Sequence, residues 1–395
     1  MKISSARWSP RALVCPLRVG WLACVLALAG ALYENAAAQD YVVTNDDSYT
    51  NGVSFFSIGA RGELTFVEEI QAPGLGISGG YFGMNRLAFL NSGSNQCIFL
   101  SEAFTGDVAW IVPGSGGFGG FVAGSEADTG ASNGIGLAVS GSYLYASFSD
   151  SSNIGTFRIQ PGCVLTFVGD ITVGGLNGGI IDGMAVHGTM MINTYADGTI
   201  ESFNIASGIP VSNGDKQTST GSAGGASYPN GIDITQDGHF AIFGDTSTAA
   251  MVEVSDISSG HLTATKVFRT HAGISSSNLL LSPDETILYI VSTQGDVVMA
   301  AFFDKSTGQI TPGCKARLRG YVDSFSYLAG AALQQITGNG GGVFVAEFGG
   351  PSWIGAVNLT VDGQSCRLQE AQGSPVEDPY SQGLLSIGRF PPRAF

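Results

Sequence analysis

Asn133-Gly-Ile-Gly-Leu-Ala-Val, Asp182-Gly-Met-Ala-Val, Asn230-Gly-Ile-Asp-Ile and Asn278-Leu-Leu-Leu-Ser-Pro-Asp are four copies of one pattern, in which Asn or Asp opens a short apolar run. Asn85-Arg-Leu-Ala-Phe is a fifth. Successive copies begin 48, 49, 48 and 48 residues apart, and each is followed by a turn and further β-rich segments. A period of roughly 40 to 50 residues is that of a four-stranded propeller blade. A sixth start falls near Ala331, and a seventh is Gly383-Leu-Leu-Ser-Ile, where too little chain remains for three more strands.

The missing strands are at the other end. Asp40-Tyr-Val-Val-Thr-Asn, Gly52-Val-Ser-Phe-Phe-Ser-Ile and Leu64-Thr-Phe-Val-Glu read as the second, third and fourth strands of a blade that lacks its first. The spacing therefore predicts an all-β chain over residues 39–395, a single seven-bladed β-propeller whose C-terminal strand pairs with the N-terminal blade. Closure of this kind removes open sheet edges. Within a blade, segments such as Tyr143-Leu-Tyr-Ala-Ser-Phe and Asn153-Ile-Gly-Thr-Phe-Arg-Ile are rich in β-branched and aromatic residues. Asp197-Gly198, Asp237-Gly238 and Asp362-Gly363 are hairpin turns. Tight turns and crowded inner strands account for 58 glycines in 395 residues, about twice the ordinary share.

Only 12% of residues are charged while 44% are hydrophobic, which excludes disorder and a charge-rich coiled coil. The N-terminus carries Lys2, Arg7, Arg11 and Arg18, then the apolar run Trp21 to Leu32, then Ala36-Ala37-Ala38. This is the pattern of a signal peptide over 1–38, cleaved after Ala38. The remainder holds 13 basic and 31 acidic residues, so nucleic acid is excluded as a partner. No run approaches the roughly 20 residues of a membrane span. A monomer exported to the periplasm, the cell surface or the medium is expected. Cys97, Cys163, Cys314 and Cys366 form an even set with no zinc-ligand spacing. Neighbourhood in the repeat favours Cys97 with Cys163 and Cys314 with Cys366, the alternative being buried free thiols.

Tyr41-Val-Val-Thr-Asn resembles the Tyr-Val-Thr-Asn signature of secreted propellers, and Leu281-Ser-Pro-Asp-Glu-Thr-Ile-Leu-Tyr-Ile is typical of the same proteins. Over nearly the whole mature chain, the sequence is similar to the seven-bladed lactonase-like propeller family. That resemblance implies a lactone hydrolase acting on a sugar acid, or a non-catalytic propeller that binds a small molecule, a carbohydrate, a wall polymer or a protein through the same face. Its enzymes are expected to use His, Arg and Glu, the histidine in a His-Pro stretch. This chain has no His-Pro, and of its four histidines only His271 lies in a loop entering a blade.

In a propeller, the loops entering each first strand share a face with the loops joining second to third strands. Asn85, Arg86, Asn133, Asp182, Asn230 and Asn278 should therefore meet Asn45, Glu102, Asp150, Asp245 and Glu347 at one mouth, five carboxylates among them. A lactonase needs a general base and a stabiliser for the oxyanion. Asp182 or Glu347 is the expected base and Arg86 the expected stabiliser, with Asn85, Glu102, Asn133, Asn230, Asp245, Asn278 and His271 around the ligand. Oxygen donors of this kind also suit a divalent cation such as calcium, although no metal is specified. A second similarity, to six-bladed gluconolactonases and regucalcin, implies Asn133 and Asp182 as ligands, completed by Glu102 or Glu347. The competing reading is that a repeated Asn-Gly is simply the turn that each blade requires.

Overall fold

The computed structural model describes residues 41–46, 48–59, 62–76, 86–92, 95–113, 121–127, 134–148, 151–219, 231–244, 251–263, 266–269, 278–292, 297–319, 334–335, 342–347, 352–363, 365–381 and 386–390. The signal segment and its cleavage site lie outside them. Every described strand belongs to one of seven antiparallel sheets. The inner strands are Ile387–Phe390 in blade 1, Leu87–Ser92 in blade 2, Gly134–Ser140 in blade 3 and Ile181–His187 in blade 4. Ile232–Ile234, Asn278–Leu281 and Gln334–Gln335 serve blades 5, 6 and 7.

Ring closure follows the sequence reading. Ile387–Phe390 pairs with Tyr41–Asn45, Tyr41 opposite Phe390 and Val43 opposite Gly388. Gly52–Ile58 and Leu64–Gln71 complete that sheet. Gly383 to Leu385, placed in this strand from the repeat, are outside the described residues. Gly388 is required by packing, because a Cβ there would stand 2.0 Å from the Phe89 ring of blade 2.

Alternation of side chains in each sheet presents an apolar row to the sheet on either side, so the core is divided among the blade junctions. Seven buried clusters result, one per adjacent pair of blades and one closing blade 7 on blade 1. Phe55, Phe99, Phe148, Phe157 and Phe344 are among the largest fully buried side chains. Each such burial contributes roughly 1.5–3 kcal/mol. Second strands lie inside this core, and Tyr41–Asn45 is buried at every position. The outer strand Leu165–Thr172 is mostly exposed.

Both expected disulfides form. Cys97–Cys163 links blades 2 and 3 with Cα atoms 5.8 Å apart, and Cys314–Cys366 links blades 6 and 7 at 5.5 Å. Among the described residues no helix is long and apolar enough to cross a membrane.

Candidate functional site

Strand direction sorts the loops between the two mouths of the channel. First strands begin, and second strands end, on the mouth that carries Asp182, Arg86, Glu102 and Asn278. Asn85, Asn133, Asp150, Asn230, Asp245 and His271 lie outside the described residues. Glu347 ends the second strand of blade 7, on the same mouth.

The residues at this mouth do different things. Asp182 is the bulged residue of its strand, since Ile181 pairs with Tyr195 and Gly183 already pairs with Thr194. A bulge re-aims the side chain that it releases from the ladder. Only 8% of Asp182 is exposed, and burial pushes its carboxyl up to about 7. Arg86 is completely buried, its backbone N–H donating to Ser386 Oγ at 2.5 Å and its carbonyl accepting from the Ser101 N–H at 2.9 Å. Glu102 is also wholly buried, and its Oε1 accepts from the Gly74 N–H at 2.5 Å, which ties down the connection from blade 1 to blade 2. Asn278 Oδ1 accepts from the next residue's N–H at 2.9 Å. That is the turn-forming role of an Asn before a strand.

The structure also revises the alignment of the repeat. Blade 3 has its bulge at Ile135, between Gly134 opposite Phe148 and Gly136 opposite Ser147. Asp182 thus corresponds to Ile135, so Asn133 and Asp182 are two residues out of phase. Among the described residues no group of three His, Cys, Asp or Glu side chains is arranged to hold a metal ion.

Sequence reasoning missed two features. Tyr49 and Phe104, 64% and 56% exposed, stand with ring centroids 6.3 Å apart on the second-to-third connections of blades 1 and 2. Exposed neighbouring aromatics in two successive blades were the available signal. The second feature is at the opposite mouth, where His187, Asp233, Gln236, Ser282 and Glu285 line a pocket of 380 Å³. An aspartate inside an apolar inner strand, Asp233, was the available signal there.

No protein-family model matches the chain, and no curated protein is similar to it in sequence. Solved structures are similar in fold. A 6-phosphogluconolactonase-like protein from Bacteroides fragilis superposes with a TM-score of 0.69 at 15% identity, over 90% of this chain and 99% of that one. The periplasmic gluconolactonase of Pseudomonas aeruginosa gives 0.65 at 13% identity, over 89% and 99%. A protein of unknown function from Desulfotomaculum acetoxidans gives the same values. At such identities the likeness establishes a shared seven-bladed propeller.

Proposed function

We propose that this protein is an exported lactone hydrolase acting at the mouth that carries Asp182. The observation that carries the reading is Asp182 itself, a buried carboxyl on a bulge with a pKa near neutrality, where a general base works best. Ionised Asp182 takes a proton from water as the water oxygen adds to the lactone carbonyl. Collapse of the tetrahedral intermediate breaks the ring C–O bond, and the proton passes to the departing alkoxide to give a hydroxy acid. Arg86, buried where the chain enters the inner strand of blade 2 at the same mouth, contributes a positive potential that is weakly screened in the protein interior. Glu347 is the alternative base. The fold shared with the gluconolactonase supports this reading, as the two disulfides support export.

The test is hydrolysis of a panel of sugar and aromatic lactones by the purified protein, with and without chelator. Turnover should rise with pH through about 7 as Asp182 ionises, and Asp182→Asn should lower kcat by roughly 10²- to 10⁴-fold with unchanged unfolding. Full activity in Asp182→Asn would refute the assignment. The exposed Tyr49 and Phe104 pair favours a second reading, saccharide binding without turnover at the same face. In that case lactones are not hydrolysed, and Phe104→Ala releases the protein from an immobilised neutral polysaccharide.

A further inference from the structure

The pocket at the opposite mouth is built by three consecutive blades and takes no part in the lactone chemistry. His187 ends the inner strand of blade 4, Asp233 lies within that of blade 5, and Ser282, Pro283 and Glu285 form the turn after that of blade 6. First strands end on this side, so the pocket faces away from Asp182.

Bonds between blades fix its polar wall. Asp233 Oδ1 accepts from the Ile234 N–H at 2.8 Å, and Oδ2 accepts from the Leu281 N–H of the next blade at 2.8 Å. Glu285, only 4% exposed, accepts from the Gln236 N–H, while Gln236 Nε2 donates to the Pro283 carbonyl at 2.9 Å. Glu285 holds a left-handed backbone at φ 57°. A non-glycine residue keeps that conformation only where its surroundings impose it. The His187 ring packs over Gly238, at φ 67°, where a Cβ would lie 3.0 Å from the ring.

The chemistry is one-sided. Two carboxyl groups and an imidazole line the pocket together with Ile234, Leu280, Leu281 and Pro283. The exposed Lys305 reaches Glu285 Oε2 only at 3.9 Å. Asp233 Oδ1 and Oδ2 and Glu285 Oε1 each accept one backbone N–H, and a carboxylate oxygen has lone-pair capacity beyond one donor. The apolar part of the lining suits the hydrocarbon portion of an organic cation. We infer that this pocket binds a small organic ammonium compound, with its nitrogen against Asp233 and Glu285 and its hydrocarbon part on Leu280, Leu281 and Pro283.

Enclosure of its carboxyl, although the residue keeps some exposure, pushes Asp233 up to about 6, with Glu285 adding to the rise and the two N–H donors opposing it. The charged or titratable groups around it are His187 from blade 4, Glu285 from blade 6 with Lys305 behind it, and Asp237 and His239 on its own turn. A bound ammonium ion favours the ionised form.

Calorimetric titration of the purified protein with 2-phenylethylamine, and with 2-phenylethanol as the neutral analogue, tests the inference. At about pH 7.5 the amine should bind at least about tenfold more tightly than the alcohol. The preference should shrink near pH 5, where Asp233 is protonated. Asp233→Asn and Glu285→Gln should each weaken the amine about fivefold or more and leave the alcohol unchanged. Should Asp233→Asn fail to fold, Glu285→Gln and the pH dependence decide. Equal binding of the two probes, no saturable amine binding up to about 10 mM, or amine affinity that survives Glu285→Gln would overturn the inference.

Discussion

The junction between blades 4 and 5 and the one that closes blade 7 on blade 1 share a plan, but they differ in the charge they bury. At each, the end of an outer strand reaches the second or third strand of the next blade. Between blades 4 and 5, Ser219 donates its hydroxyl to Glu253, and the chain itself runs across. At the closure the partners are exchanged, and Asp378 of blade 7 accepts from Thr44 Oγ1 of blade 1 at 2.7 Å. The chain runs across here too, from Asp378 to the inner strand Ile387–Phe390 of blade 1, and the break in covalent continuity lies inside blade 1, between that strand and Tyr41–Asn45. Two further acids crowd the closure. Asp46 accepts from Ser54 Oγ at 2.9 Å, and Asp46 Oδ2 and Glu69 Oε1 both flank Gly52. Burial, with Asp378 adding to it, pushes the Asp46 carboxyl well above the usual range, and Glu69 is raised by the same two causes. The difference is one of charge: three carboxyls with raised values, Asp46, Glu69 and Asp378, meet at the junction where the ring closes.

Removing the strand that closes the ring should have the largest effect. A chain ending at Ser381 loses the partner of Tyr41–Asn45 and strips Ile387 and Phe390 from two core clusters. It should lose cooperative thermal unfolding by circular dichroism, and a sharp transition near that of the full chain would show that blade pairing is not what closes the ring. Next come the covalent staples at other junctions. Cys97→Ser with Cys163→Ser should lower the unfolding free energy in urea by about 2–5 kcal/mol, and so should the pair Cys314→Ser and Cys366→Ser. The smallest effect is the most specific to the comparison. A carboxyl with a folded value above its unfolded one binds more protons in the folded state. The stability contributed by Asp46 and Asp378 is therefore full below the ordinary carboxylate range and is lost as pH rises through their raised values. Asp46→Asn should flatten that pH dependence and stabilise the protein above neutrality, on the order of 1 kcal/mol. Ser219→Ala should instead destabilise, by about 1 kcal/mol. Identical pH profiles for Asp46→Asn and the parent protein would remove the distinction between the two junctions.

Blade number, strand character and the exchange of ends were legible in the chain because they rest on local signals that repeat. The apolar and aromatic make-up of Gly52–Ile58, the Asp-Gly turns and a period near 48 are read from short stretches of chain and their repetition. The two disulfides were legible by extension, since each joins adjacent blades. The site was legible only as a face. Aligning Asn133 with Asp182 by their Asn-Gly and Asp-Gly starts was reasonable, but the bulge count placed Ile135 at the Asp182 position. Glu102, expected at a ligand, also holds the Gly74 N–H of the connection from blade 1 to blade 2, a contact between distant residues that no local pattern signals.

The sequence by itself determined a seven-bladed ring closed by its own two ends, because β periodicity and turn chemistry are encoded within a few residues and repeated. Only the tertiary structure decided which side chains share an environment. Thr44 meets Asp378 across 334 positions, and Asp233 meets Leu281 across 48. Such encounters depend on the angle and offset at which one blade packs on the next. Those are set by the summed packing of seven interblade cores, and no local pattern records them.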